Sequence, residues 1–400
     1  MTACARIEVG IDVGGHRHRV ALAVPASPVI EEFDITHDRA GFDELFGRLS
    51  ALERQHHLPV AVAMEGFNGH ARPLDQAIQA HGYQLFNLNN LKLARYKEIF
   101  PTPAKTDAID ARRILELFRL SGHVPLAREV LQEVKPVPLE NEQLKRLTRR
   151  RKQLVADKIR LTTRLYADLQ SVSPGLVEIT GEIDNQWFLT FVSCREDLQQ
   201  LARLRAPTLL ALRGIGKTYA ARIQAWQKVA VFAPAVDWVG PMIVADANRV
   251  LTLKADIKTL ERQIAELSTR SSLATTIDSV PGFGLICSAE LAGEIGTLSR
   301  FENESSLAMY MGMAALDHSS GKRTAARPAK QVNRRCQAAM MIAVAQHLPH
   351  VPESKAFYDR KRAQGKGHNQ AIRALGRHLV RVLWALVKHN RAYEIRQKST

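Results

Sequence analysis

The chain has little cysteine, a deficit of acids and no long apolar run. Its four cysteines, Cys4, Cys194, Cys287 and Cys336, lie far apart, with no CxxC pair and no histidine cluster nearby. That spacing offers neither a zinc site nor a disulfide framework and favours a reducing, cytoplasmic setting. No stretch reaches the ~18 apolar residues of a membrane helix, and the N-terminus lacks the basic-then-apolar pattern of a signal peptide. A soluble protein with no membrane partner is expected. Acids number 40 against 56 lysines and arginines, a formal charge of +16, which makes a polyanion the leading partner class. Four hundred residues are expected to form two or three cores rather than one.

What is present begins with β-type patterning. The runs "RIEVGIDVGG" and "HRVALAVP" read as a hairpin, and "VIEEFDI" as a third strand. Helical spacing then follows through Phe42, Leu45, Phe46, Leu49 and Leu52. A strand "LPVAVAMEG" ending at Glu65, a helix "ARPLDQAIQAHG", a strand "YQLFNLN" and a helix opening with "KTDAIDARRI" complete the series. The order β-β-β-α-β-α-β-α is that of the ribonuclease H fold.

Four acids fall at telling places in that order. Asp12 lies on the first strand, Glu65 ends the fourth, and Asp107 and Asp110 share one side of the last helix, since positions three apart on a helix are neighbours. Carboxylates gathered in this way repel one another unless a cation lies between them, and hard oxygen ligands suit Mg²⁺ or Mn²⁺. A two-metal phosphodiester site would follow. Singly, each acid has a plainer role: Asp107 and Asp110 fit an N-cap and N3 pair, Glu65 a solvated strand end, Asp12 a turn. Lys105, Arg112 and Arg113 around the helix acids would hold the nucleic-acid backbone.

Residues 140–170 are helical and basic, with Leu147, Leu154 and Leu161 seven apart and Arg149 and Arg150 among the candidate phosphate contacts. A second helix carries Val250, Leu253, Ile257, Leu260, Ile264 and Leu267 in alternating spacings of three and four, an a/d seam. The two helices are expected to pair, within one chain or between two. A weak repeat relates "LLALRGIGKTYAARI" to "IDSVPGFGLICSAEL", placing Gly214 on Gly282 and Gly216 on Gly284. This is the helix-hairpin-helix pattern, whose turn amides hold a DNA phosphate; glycine-capped helices are the alternative. From Lys322 to Arg335 there are six bases and no acid (Lys322, Arg323, Arg327, Lys330, Arg334 and Arg335), consistent with phosphate contact. The stripe Ala371, Leu375, Leu379, Val382, Leu383, Leu386 reads as core packing.

"GIDVGG" also resembles the phosphate loop of sugar kinases and actin-like ATPases. Those proteins need a second phosphate loop and a Gly-rich adenosine site, and neither is evident.

Taken together, "GIDVGGHRHRVAL", "AMEGFNGHARPL", "KTDAIDARRI" and the later segment from "PGFGLICSAELAGEIG" to "ALDHSSGKR" resemble the DEDD transposases of bacterial insertion sequences, the insertion-sequence-110 family. The resemblance covers roughly residues 6–125 and 273–390. It implies a RuvC-like DEDD catalytic domain over 1–125 and a mostly helical transposase domain over 273–400, and the leucine and a/d patterning between them makes 140–272 a helical coiled-coil spacer. It also implies that Asp12, Glu65, Asp107 and Asp110 coordinate magnesium, and that a serine nucleophile sits at Ser320, with Ser319 as a substitute. The partners implied are DNA, at element ends and target, and a structured bridge RNA that guides the reaction. The working form would be a dimer or tetramer in which a serine of one subunit meets the acids of another, nucleoid-associated when active. The sequence departs from the family at "GMAALD", which lacks a proline, and at "KQVNRRCQ", where Val332 replaces a glycine and Cys336-Gln337 a Leu-Arg. A protein-only junction resolvase of the same fold and a DNA-binding scaffold without activity are the alternatives.

Overall fold

Period-two burial organises the N-terminal part of the chain. In the computed structural model, residues 5–25, 30–65, 72–88, 93–94, 107–123, 131–320, 323–329 and 332–394 are described, with backbone alone at 107–108, 122–123, 317–320 and 323–328. Strand β1 (Ile7–Val13) sits in the middle of a six-stranded sheet of order β3-β2-β1-β4-β5-β6. Strands β2 (Arg17–Ala23) and β3 (Ile30–Thr36) extend one side antiparallel. On the other side β4 (Val60–Met64) and β5 (Gln84–Leu88) run parallel to β1, and β6 (Leu131–Glu133) closes the edge antiparallel. The expected series of strands and helices is present, with β6 as an addition: three residues give too short a pattern to read.

Alternate residues of the central strands feed two cores. Ile7, Val9, Ile11, Val60, Val62 and Met64 pack with Leu45, Phe46 and Leu49 of α1 (Arg39–His56) and with Leu74 and Ile78 of α2 (Arg72–Ala80). Ala61 and Ala63 face the other way, onto Ile114, Leu117 and Phe118 of α3 (Asp107–His123). Helix α1 starts where Asp38 accepts a hydrogen bond from the Gly41 amide at 2.9 Å, and it ends at His57 in the left-handed region.

These elements form one unit, Met1–Pro136, and the second spans Val137–Thr400. The second unit is framed by two long helices, α4 (Leu139–Val172) and α9 (Val236–Ser268). They pair within the chain and run antiparallel: Arg151 meets Glu261 and Arg164 meets Asp246, each at 2.6 Å, so positions rise on one helix as they fall on the other. Every seventh residue of the predicted seam, Val250, Ile257 and Ile264, is buried, facing the α4 side that buries Leu144, Leu154, Leu165 and Leu169.

Two cores flank this pair. One gathers α5 (Pro174–Glu178), α6 (Gln186–Val192), α7 (Ala206–Ala211) and α8 (Lys217–Gln227) around Trp187, Phe188, Phe191 and Trp226. The other is built by α10 (Ser272–Asp278), α11 (Gly284–Ile295), α12 (Glu304–Tyr310), α13 (Arg334–His347) and α15 (His368–Lys388), with α14 (Pro352–Ala363) against α15. The predicted stripe of α15 lies in this core, with Val382 partly buried at its margin. Between α12 and α13 the chain forms a hairpin, β7 (Ala315–Ser320) and β8 (Arg323–Pro328), which helical expectation missed. Among the described residues no helix is long and apolar enough to cross a membrane.

Candidate active site

The parallel register of β1 and β4 advances in step from Ile7 opposite Val60 to Ile11 opposite Met64. The next residues are Asp12, one before the end of β1, and Glu65, directly after β4, which therefore lie side by side at the same end of neighbouring strands. Both fall on the α3 face by alternation, since Ile11 and Met64 belong to the core on the other side.

Helix α3 is pressed unusually close to that face. A Cβ on Gly10 would lie 2.6 Å from the Leu115 amide nitrogen and 2.8 Å from the Ala111 carbonyl oxygen, so only glycine lets the helix backbone rest on the strand. Ala21, Ala23 and Ala111 keep the remaining contact thin. Asp110, directly before Ala111, is consequently buried at 8% exposure near the strand that carries Asp12. Its carboxylate faces Arg113 at 3.9 Å. Asp107 opens the same helix one turn earlier, on the same side as Asp110; its side chain lies outside the described residues. Among the described residues no three His, Cys, Asp or Glu side chains form a metal-holding group. Asp107 is the acid that a carboxylate cluster would add to Asp12, Glu65 and Asp110.

A cationic rim borders these acids. Glu32 of β3 accepts hydrogen bonds from Arg112 of α3 at 2.7 Å and from Arg19 of β2 at 3.1 Å. Burial opposes the Glu32 charge, yet the two arginines hold its pKa below the usual carboxylate range. Arg19 stands opposite Asp12 in the hairpin register. The hairpin pattern in the sequence carries no mark of Glu32 as the tie to α3.

In the second unit, Ser319 and Ser320 end β7 and pair with Thr324 and Arg323 of β8. Ser320 is thus at the tip of a hairpin, with the side chains of Ser319, Ser320, Arg323 and Arg327 outside the described residues. Lys105, Lys322 and Lys330 also lie outside them. The chain leaving the hairpin is anchored at Asn333. Its side chain caps α13 through the Arg335 and Cys336 amides and donates at 2.8 Å to Glu294 and at 2.7 Å to the Tyr310 hydroxyl. Glu294 is fully buried and takes two hydrogen bonds from Arg149, at 2.6 and 2.9 Å. Burial penalises its charge, but Arg149 and Asn333 hold its pKa below normal. Burial, aided by Arg149, pulls the neighbouring Lys145 ammonium down to about 8. Arg149 therefore spends its charge inside the unit, whereas Arg150 and Arg334 are exposed and Arg335 is half-buried.

The glycine turns resemble each other only in part. Gly214 and Gly282 share a positive φ, 87° and 85°. Gly216 is extended at −93°, whereas Gly284 stays positive at 62°. A Cβ on Gly282 would strike the backbone at Gln346 and His347 at 2.5 Å, so α13 fills that side of the turn, while the space beside Gly284 is open.

Comparison with known proteins decides the family. Residues 9–174 match the transposase model DEDD_Tnp_IS110, and residues 274–359 match the model described as transposase, IS116/IS110/IS902 family. The chain belongs to the IS110 transposase family. Similarity to family proteins runs almost end to end. An uncharacterized 43.6 kDa protein of insertion element IS110 from Streptomyces coelicolor is 28% identical over 97% of this chain and 95% of its own length. A 44.8 kDa protein of insertion element IS116 from Streptomyces clavuligerus is 29% identical over 97% and 96%. A pilin gene-inverting protein from Moraxella bovis is 33% identical over 33% of this chain and 41% of its own length. As an IS110-family transposase, the chain is an enzyme of DNA transposition.

Proposed function

We propose that this transposase cuts and rejoins DNA with a carboxylate metal site in a ribonuclease H-like, RuvC-like first unit and a serine nucleophile in the second. The observation that carries this reading is the seating of α3 on Gly10, which sets Asp110 beside the strand ends that present Asp12 and Glu65. These acids, with Asp107, offer the hard oxygen donors that Mg²⁺ or Mn²⁺ takes, and the bound ions would supply Lewis-acid stabilisation of charge on the phosphate oxygens. Ser320, or Ser319 beside it, attacks phosphorus through Oγ. A phosphoserine ester forms as the bond to the leaving sugar oxygen breaks; that oxygen takes up a proton, and the serine proton passes to a carboxylate of the site. Attack by a DNA hydroxyl on the ester reverses these changes, so rejoining needs no ATP. The name of the Moraxella relative, a pilin gene-inverting protein, supports rejoining as well as cutting.

The same reading keeps the spacer over 140–272 and the transposase domain over 273–400 as separate working parts, with the Gly282–Gly284 turn as a helix-hairpin-helix. The serine of one copy serves the acids of another within a dimer or tetramer. A structured bridge RNA delivers sequence choice to the complex. Purification from cells that carry the native flanking DNA, followed by sequencing of the bound RNA, tests the guide. One discrete structured RNA encoded beside the gene is expected; heterogeneous RNA or none would contradict guidance and favour a protein-only resolvase.

A further inference from the structure

The region where α14 turns into α15 encloses a cavity of about 420 Å³ with an unbalanced cationic lining. Lys361 of α14, Lys366 of the turn and Arg373 of α15 border it, over a floor that includes Met313, Ala315 and Phe357. No acid is among the described residues that line it. Arg377, also on the wall, is already held by Glu304, but among the described residues none of Lys361, Lys366 and Arg373 forms an ion pair. Among the described residues the Lys361 ammonium donates only to the neutral Gln364 side chain, at 3.2 Å. The Arg373 Nε is buried with no hydrogen-bond partner among the described residues, an arrangement that costs free energy until an acceptor arrives. His378 on the same wall registers the excess charge. Burial, then Arg381, Arg377, Lys361 and Arg360, hold its pKa below the usual histidine value.

We propose that this cavity binds a backbone phosphate of the DNA on which the serine hairpin acts. The inference rests on the function proposed above and adds a fixed distance to it. Ala315 both lines the cavity and begins β7, five residues before Ser320. At ~3.3 Å per residue that strand spans roughly 17 Å. A DNA strand advances ~3.4 Å per nucleotide, so the cavity holds a phosphate within about five nucleotides of the one attacked. The site thereby fixes register along the strand without reading a base.

The test is the salt dependence of affinity of the full-length protein for an element-end duplex, measured without divalent metal so that no chemistry intervenes. Lys366 is exposed, so Lys366→Gln folds as the parent does, and Arg373→Gln is compared with it after its melting temperature is checked. Each variant is expected to lower the slope of log affinity against log salt by about 0.9. Between 50 and 200 mM salt the variant should then lose about 3.5-fold less affinity than the parent. Unchanged slopes in both folded variants would overturn the site, as would a change seen only with co-purified RNA. In a parallel assay with Mg²⁺, a parent that forms its serine–DNA adduct while the slopes stay unchanged refutes the cavity alone; a parent that forms no adduct refutes the proposed chemistry, and the slopes still report on the cavity.

Discussion

Replacing Gly10 with alanine separates the seating of α3 from every other feature of the first unit. The added Cβ would lie 2.6 Å from the Leu115 amide nitrogen, about 0.8 Å inside the 3.4 Å at which ordinary contact begins. Both nearest atoms are helix backbone, which cannot swing aside as a side-chain terminus does, so α3 must lift by roughly that amount. Overpacking of this kind costs about 1–3 kcal/mol. Thermal unfolding followed by far-ultraviolet circular dichroism should therefore show a lower melting temperature in Gly10→Ala, with the secondary structure retained. The catalytic effect should be larger, because a lift of ~1 Å carries Asp110 away from Asp12 and Glu65, and a misplacement of that size can cost ~10²-fold in rate. DNA affinity should stay near that of the parent. A Gly10→Ala protein that melts and cleaves like the parent would refute the close seating and the site built upon it.

Three further outcomes follow from the same reasoning. Arg149→Met leaves the fully buried Glu294 without its two guanidinium donors; breaking a buried pair costs ~3–5 kcal/mol, and the 39% exposure of Arg149 places the loss at the lower end, about 3 kcal/mol. Because the Glu294 pKa is lowered on folding, the stabilisation is present above the unfolded-state value and is lost as pH falls through it and toward the folded value. Melting curves of parent and variant should thus differ most near neutrality and converge in acid; a constant gap would refute the assignment. Asp110→Asn should abolish metal-dependent cleavage while the melting temperature stays within a few degrees, and full cleavage would refute the metal role.

Much of the first unit was legible because alternation speaks directly to burial. Val9, Ile11, Val60 and Val62 point to one core, Ala61 and Ala63 to the other, and the succession of strands and helices, β6 apart, follows from the runs themselves. Gly10 was not legible as the seat of a helix that begins almost a hundred residues later. The heptad of α9 was legible as a seam, but an a/d pattern looks the same whether its partner is α4 of the same chain or a second copy. The β7–β8 hairpin escaped notice because "ALDHSS" and "RTAARP" lack the β-branched and aromatic residues that mark strands. Arg149 read as one more base in a basic helix, since its partner Glu294 lies 145 residues away in sequence.

The central claim is a serine ester on DNA, and the most direct measurement is denaturing electrophoresis of the protein with a labelled element-end duplex and Mg²⁺, followed by mass spectrometry of any shifted band. The account predicts a protein–DNA adduct mapped to Ser320, or to its neighbour Ser319, that is lost in Asp12→Asn and in the corresponding serine-to-alanine variant. Cleaved DNA with free ends and no adduct would contradict it and make water the nucleophile.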